Sequence, residues 1–138
     1  MVKPDDLLLL ASSLLETAQQ EADPQSEAFT RAAASRAYYA AYHAVEPIGR
    51  KLPQRTDTGQ HQRLIESLLS VSPRGQSGVF SAEAARKMQS LGHQLQLIKK
   101  LRSDADYQLT QEFSQPEADQ VIQTAKKMLE KAEQVEFS

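Results

Sequence analysis

A chain of 138 residues, 40% hydrophobic and 25% charged, is long enough to bury one core and reads as a single domain over residues 1–138. It has no cysteine, which excludes disulfides, thiolate metal sites and cysteine nucleophiles. The formal charge of −2 conceals an asymmetry: residues 1–30 carry one lysine against six acids, residues 31–103 twelve basic residues against four acids, and residues 104–138 three against eight. A basic middle between acidic ends can form a phosphate-binding face, or the ends can pair with the middle on folding. Glycine, proline and β-branched residues are few, so the expected class is all-α with short connections. Leu7–Leu10 is an apolar run of only four behind Asp5 and Asp6, which fits neither a signal peptide nor a membrane span. A cytoplasmic protein without membrane association is expected.

In chain order, the first helix is expected from Pro4 to about Ala22. Proline suits a first turn, and Asp5 and Asp6 complement the helix dipole. Its stripe is Leu7, Leu10, Leu14 and Ala18, widened by Leu8, Ala11 and Leu15. Asp23-Pro24 reads as an N-cap followed by the first residue of the next helix. That second helix, Pro24 to Glu46 or beyond, contains RAAASRAYYAAYHAV at 31–45, seven of whose fifteen residues are alanine. Alanine loses no side-chain entropy on entering a helix and lets neighbours approach closely. Ala34, Ala37, Ala41, Ala44, Ile48 and Leu52 mark its buried face, which Phe29, Ala33 and Ala40 extend. Arg36, Tyr39 and His43 share one side of it. Pro47 cannot donate to the His43 carbonyl and is expected to kink or end the helix just after His43. Gly49–Thr58 reads as a loop.

A short third helix is expected from Gly59 to Ser70, with Leu64, Ile65, Leu68 and Leu69 inward. Ser72–Gly78 is a loop by composition. The fourth helix, from about Ser81 to Tyr107, has the seam Ala84, Met88, Leu91, Leu95, Ile98, Arg102, Ala105, stepping by four and three. The fifth starts at Ser114, where Ser-Gln-Pro-Glu is a capping box; its apolar face is Ala118, Val121, Ile122, Ala125, Met128, Leu129 and Ala132. The fold expected is an up-and-down helical bundle of four long helices plus one short one.

Arg102 is the anomaly in this pattern. A guanidinium in an apolar seam is costly to bury unless it is paired or faces a cleft. Asp106, four residues on, can pair with it. That leaves two readings: an ion pair tying the fourth helix to a neighbour, or an arginine presented to phosphate, which its fork geometry suits. His43 has the side chain suited to proton transfer near neutral pH, and is otherwise a packing residue. Tyr38, Tyr39 and Tyr42 read as core or interface aromatics. Lys99 and Lys100 can track a nucleic-acid backbone or simply be solvated. His61 and His93 stand alone and are assigned nothing. Glu-x-x-His, HExxH, Walker A and GxGxxG motifs are all missing, so no metal or cofactor is expected.

SRAYYAAYHAV at 35–45 and LRSDADY at 101–107, followed by a capped amphipathic helix, resemble the HEPN domain, in particular its small stand-alone branch. The resemblance runs from about Asp5 to Val135. It implies a homodimeric helical bundle and a toxin-like role beside a small nucleotidyltransferase partner (the MNT type), with RNA as substrate or ligand and metal-independent endoribonuclease chemistry. A non-catalytic module that docks on the nucleotidyltransferase is the alternative. Ribonucleases of the family carry an arginine and, four to six residues further on, a histidine. Arg102 matches the arginine, but the histidine positions hold Tyr107, Gln108 and Leu109. The implied site is therefore Arg102 on phosphate, Asp106 orienting it, and His43 or Tyr107 moving the proton. Arg36, Lys99 and Lys100 would contact RNA. By the same resemblance Tyr107 is the candidate for modification with AMP. On an ideal helix Tyr107 lies opposite Ile98 and away from Arg102. A shared site would then need the helix to distort or end near Ala105, or a second subunit to contribute.

Overall fold

The computed structural model describes residues 1–53, 59–72 and 80–135. It is all-helical, with no strand among the described residues: α1 Pro4–Gln20, α2 Gln25–Gly49, α3 Gln60–Leu69, α4 Ala82–Tyr107 and α5 Gln115–Glu133. Four long helices and one short one form a bundle. The helix α2 lies at its centre and touches each of the other four. Short links between touching helices make α1 and α2, and α4 and α5, antiparallel neighbours. No helix is long and apolar enough to cross a membrane among the described residues.

The central place of α2 follows from its alanines. Ala33, Ala34, Ala37, Ala40 and Ala41 are fully buried, and side chains this small admit neighbours on several sides at once. At α5, Ser114 Oγ accepts from the Glu117 amide at 3.3 Å while Glu117 accepts from the Ser114 amide at 3.1 Å, so the expected capping box is formed. Ser81 Oγ caps α4 by accepting from the Ala84 amide at 3.0 Å. Every residue of the α4 seam is buried, Arg102 included.

The expectations fail in four places. The buried face of α1 is Leu8, Ala11, Leu15 and Ala18, so the stripe sits one position round and Leu10 is exposed. With six leucines in nine residues, sequence alone could not choose between adjacent faces; packing on α2 and α5 does. Pro24, not Asp23, occupies the N-cap of α2, and no side chain caps it; α1 closes two residues earlier than expected, at Gln20. Pro47 does not stop α2 at His43. It stands inside the final turn, where the ladder resumes with the Arg50 amide donating to the Glu46 carbonyl at 3.0 Å. A proline so near a helix end removes little of the ladder. Residues 54–58 of the loop after α2, and 73–78 of the Ser72–Gly78 stretch, lie outside the described residues.

The short helix α3 is seated by two buried glycines. A side-chain methyl at Gly49 of α2 would run into Leu64, and one at Gly92 of α4 would stand 2.9 Å from Leu69 Cδ2. The close approach brings the first turn of α3 against the tyrosines of α2.

Candidate functional site

The last turns of α4 and the middle of α2 meet around Arg102. Its residue exposure is 8%. One terminal nitrogen, Nη1, donates to Asp106 Oδ2 at 3.3 Å, and Asp106 Oδ2 also accepts from Ser35 Oγ at 3.3 Å. Asp106 therefore pairs with Arg102 and ties α4 to α2, as the ion-pair reading of the sequence expects. The guanidinium carbon lies 4.9 Å from the Tyr38 ring centre and 5.5 Å from that of Tyr39. Such contacts stabilise a cation by about 0.5–2 kcal/mol each without consuming its N–H groups. Nε is buried and has no hydrogen-bond partner among the described residues. Burial works against the charge, but Tyr39, the Asp106 hydrogen bond and Tyr38 outweigh it, and the pKa of Arg102 moves up.

Arg36 comes to the same ring from α2, its guanidinium carbon 5.2 Å from the Tyr39 centre, and its Nη2 donates to Ser35 Oγ at 3.5 Å. Lys99 joins from α4 and donates to the neutral Gln62 side chain at 3.0 Å. Among the described residues, Asp106 is the only carboxylate bonded to any of these three cations. Lys100 is not part of the group: it is exposed and pairs with Asp104 at 2.9 Å. The acidic ends thus meet the basic middle locally, through pairs four residues apart such as Arg31–Glu27 and Lys100–Asp104.

Tyr107 is 72% exposed, yet its ring centre is 5.9 Å from the Arg102 guanidinium carbon. The helix neither ends nor breaks at Ala105. Two long side chains close the gap that their angular positions leave, so neither distortion nor a second subunit is needed to bring them together. His43 stands at the edge, half exposed, 3.9 Å from Glu46 and in edge contact with Tyr42 at 5.4 Å between ring centres. Among the ring contacts of His43 and Tyr107, only that of Tyr107 reaches Arg102.

Two residues at this centre carry no expectation from sequence. His61, at the start of α3, stacks on Tyr42 with ring centres 4.3 Å apart and the planes 17° from parallel. Its Nδ1 is 2.5 Å from the Tyr38 hydroxyl. Burial first, then the charges of Arg102, Lys99 and His43, hold its pKa below the ordinary value. Tyr38 is fully buried, and desolvation pushes its phenol far above the usual range. The other residue is Arg31, buried at the junction of α2 with the end of α4. Nη1 donates to the carbonyls of Ala105 at 2.8 Å and Asp104 at 3.2 Å, and Nη2 to those of Gln108 at 3.2 Å and Gln111. It adds a charged donor to carbonyls at the end of α4 and in the link beyond it, two of which, Asp104 and Gln108, also accept from the Gln108 and Gln111 amides, and so fixes the turn that carries Asp106 and Tyr107.

A groove of about 350 Å³ adjoins the cluster between α2 and α3, lined by Tyr42, His43, Glu46, Arg50, Gln60 and Arg63 among others. Among the described residues no three His, Asp or Glu side chains come close enough to share a metal ion. Comparison of the chain with protein-family models, with curated proteins and with solved structures finds no match in any of the three.

Proposed function

We propose that the chain is a HEPN-type, toxin-like partner of a nucleotidyltransferase, working as a homodimer in the cytoplasm, with RNA phosphate bound at Arg102. The observation that carries this reading is the charge balance around Tyr39: Arg36 and Arg102 share one ring, Lys99 stands near, and a single carboxylate is bonded among them. Such a surplus of cations, one with an unmatched buried Nε, suits a polyanion. The two stretches that resemble the family, 35–45 and 101–107, are the ones that meet here.

In the enzymatic form of the reading, the RNA 2′-oxygen attacks the adjacent phosphorus, the bond to the 5′-oxygen breaks, and the 2′-hydroxyl proton is moved by His43 or Tyr107 and ends on the leaving 5′-oxygen. The products are a 2′,3′-cyclic phosphate and a 5′-hydroxyl. Arg102 offsets the charge that builds on the phosphate oxygens, and Asp106 keeps the fork aimed. The test is incubation of purified protein with tRNA in the absence of metal, beside Arg102→Ala and His43→Ala variants. Wild type should cleave and Arg102→Ala should lose about 100-fold or more. No cleavage by wild type, or equal cleavage by all three, overturns it.

The absence of a histidine after Arg102 favours the second reading, a non-catalytic module that docks on the nucleotidyltransferase; modification of Tyr107 with AMP belongs to the toxin-like reading, and one feature suits it. Tyr107 and Leu109, 72% and 69% exposed, stand together just beyond the site, where a partner enzyme can reach the tyrosine hydroxyl. Incubation with the nucleotidyltransferase and ATP should then add the mass of one AMP to the Tyr107 peptide. An unchanged mass counts against the modification of Tyr107.

A further inference from the structure

No histidine follows Arg102 on α4, but one enters the same cluster from α3. His61 lies against three tyrosines of α2: stacked on Tyr42 at 4.3 Å, near-parallel to Tyr38 at 5.5 Å, and edge-on to Tyr39 at 5.8 Å between ring centres. Tyr38 and Tyr39 are also the rings on which Arg102 rests, so His61 and Arg102 border the same pair of rings.

The state of the imidazole can be read from its partner. The Tyr38 phenol is fully buried and holds its proton firmly, and a buried hydroxyl must place that proton on an acceptor. His61 Nδ1, 2.5 Å away, is the acceptor the geometry provides. Nδ1 is then unprotonated, and the neutral ring carries its hydrogen on Nε2, which has no partner among the described residues. The groups that face the ring work in the same direction. From α2 these are Tyr38, Tyr39, Tyr42 and His43, and from α4 Lys99 and Arg102; the cations disfavour a second positive charge there.

We propose that His61 is a second phosphate-binding group of this site, a neutral Nε2–H donor fixed in that tautomer by Tyr38, meeting one non-bridging oxygen while Arg102 meets another. The assignment rests on the reading that the site binds RNA phosphate. It differs from the role a histidine after Arg102 would play. With Nδ1 occupied and Nε2 protonated, His61 has no free lone pair with which to take a proton from a 2′-hydroxyl. Its contribution is a preorganised dipole that does not compete with Arg102 for counter-charge and costs no reorganisation as charge develops on phosphate. The stack on Tyr42 and the bond to Tyr38 hold the ring in place, so little side-chain entropy is lost on binding.

The experiment has two arms. In the first, ¹⁵N NMR of the imidazoles reads protonation directly in the free protein between about pH 5.5 and about pH 8, the span in which an ordinary histidine titrates. The expected result is an unprotonated Nδ1 and a protonated Nε2 on His61 throughout the upper part of that range. An Nδ1–H tautomer, or an imidazolium at neutral pH, overturns the proposal whatever RNA does. In the second arm, a fluorescent single-stranded oligouridylate is titrated with wild type, Arg102→Ala, His61→Phe and the double variant Tyr38→Phe/His61→Phe. The double variant removes both partners of the buried hydrogen bond and so leaves no unsatisfied hydroxyl. Both His61 variants should bind about tenfold more weakly or worse, as expected for a lost hydrogen bond to a charged group. Equal binding by wild type and Arg102→Ala, or none by wild type, overturns the RNA-phosphate reading and this proposal with it. Loss in Arg102→Ala alone, with wild-type affinity in the double variant, overturns the role of His61 and leaves the reading standing.

Discussion

Arg31 and Arg102 are equally buried, each 8% exposed, on two helices that pack together, yet their surroundings are opposites. Arg31 spends its donors on four backbone carbonyls and on Glu27 at 3.2 Å, with Phe113 beneath it at 5.8 Å. Arg102 has one modest bond to Asp106, a contact with Tyr38 that includes its hydroxyl, an unmatched Nε and aromatic faces against the guanidinium. A cation with its donors filled is a cross-link. A cation fixed in place with donors to spare is the group that the proposed RNA-phosphate reading requires. The number of donors left over separates the two, and burial does not.

The sharpest way to break the comparison is to remove Arg31. Arg31→Ala leaves the buried Ala105 carbonyl without its partner and releases the 108–113 link from the end of α4. The expected loss is about 3–5 kcal/mol in urea unfolding, from an uncompensated partner group and several lost charge-assisted bonds. Arg31→Lys should recover less than half, because one ammonium cannot span carbonyls that a planar fork reaches together. A loss under about 1 kcal/mol for Arg31→Ala would mean that the carbonyls turn to water at little cost, and that Arg31 is no cross-link.

Arg102→Met should behave in the opposite way. It removes a buried charge that is only partly matched and keeps an apolar side chain of similar length, while Asp106 retains Ser35. Unfolding free energy should stay within about 1 kcal/mol of wild type, while oligouridylate binding is lost. A fall above about 3 kcal/mol would make Arg102 a structural group like Arg31 and remove the charge argument for the site.

The two arginines also mark what sequence could and could not reveal. Arg102 was conspicuous because it interrupts an apolar seam of period three and four. Arg31 was not, because Glu27 four residues earlier makes it look like an ordinary surface pair on a helix. Its true partners lie more than seventy residues away in sequence. Helix starts at Ser81 and Ser114 were legible because side-chain caps are local. The face of α1 was not, since six leucines offer two neighbouring stripes and tertiary contact selects one. His61 was the largest omission. Its meaning depends on Tyr38 and Tyr42, which belong to another helix, and on the close seating of α3 against Gly49 and Gly92. The tyrosines were read as core or interface aromatics, and Tyr38 and Tyr42 are buried, but they also hold a histidine beside Arg102.

The smallest expected effect tests how far each charge reaches. Arg102 is among the groups that depress His61, after burial itself, whereas Arg31 is not among them. Arg102→Met should therefore raise the His61 pKa part of the way to its ordinary 6.5, and Arg31→Lys should leave it where it is; an NMR titration of the ring reads both. Stability follows from the same shift. Because the folded pKa lies below the unfolded one, the unfolded chain takes up the proton first as pH falls. The contribution of His61 to stability is complete above about pH 6.5 and declines as pH drops toward the folded value. Unfolding free energy measured across that window should fall with acidity in wild type, less steeply in Arg102→Met, and without this component in Tyr38→Phe/His61→Phe. A wild-type slope that the double variant reproduces would place the acid sensitivity elsewhere. It would also leave His61 as exposed to solvent protons as any surface histidine, with no charge from Arg102 reaching it.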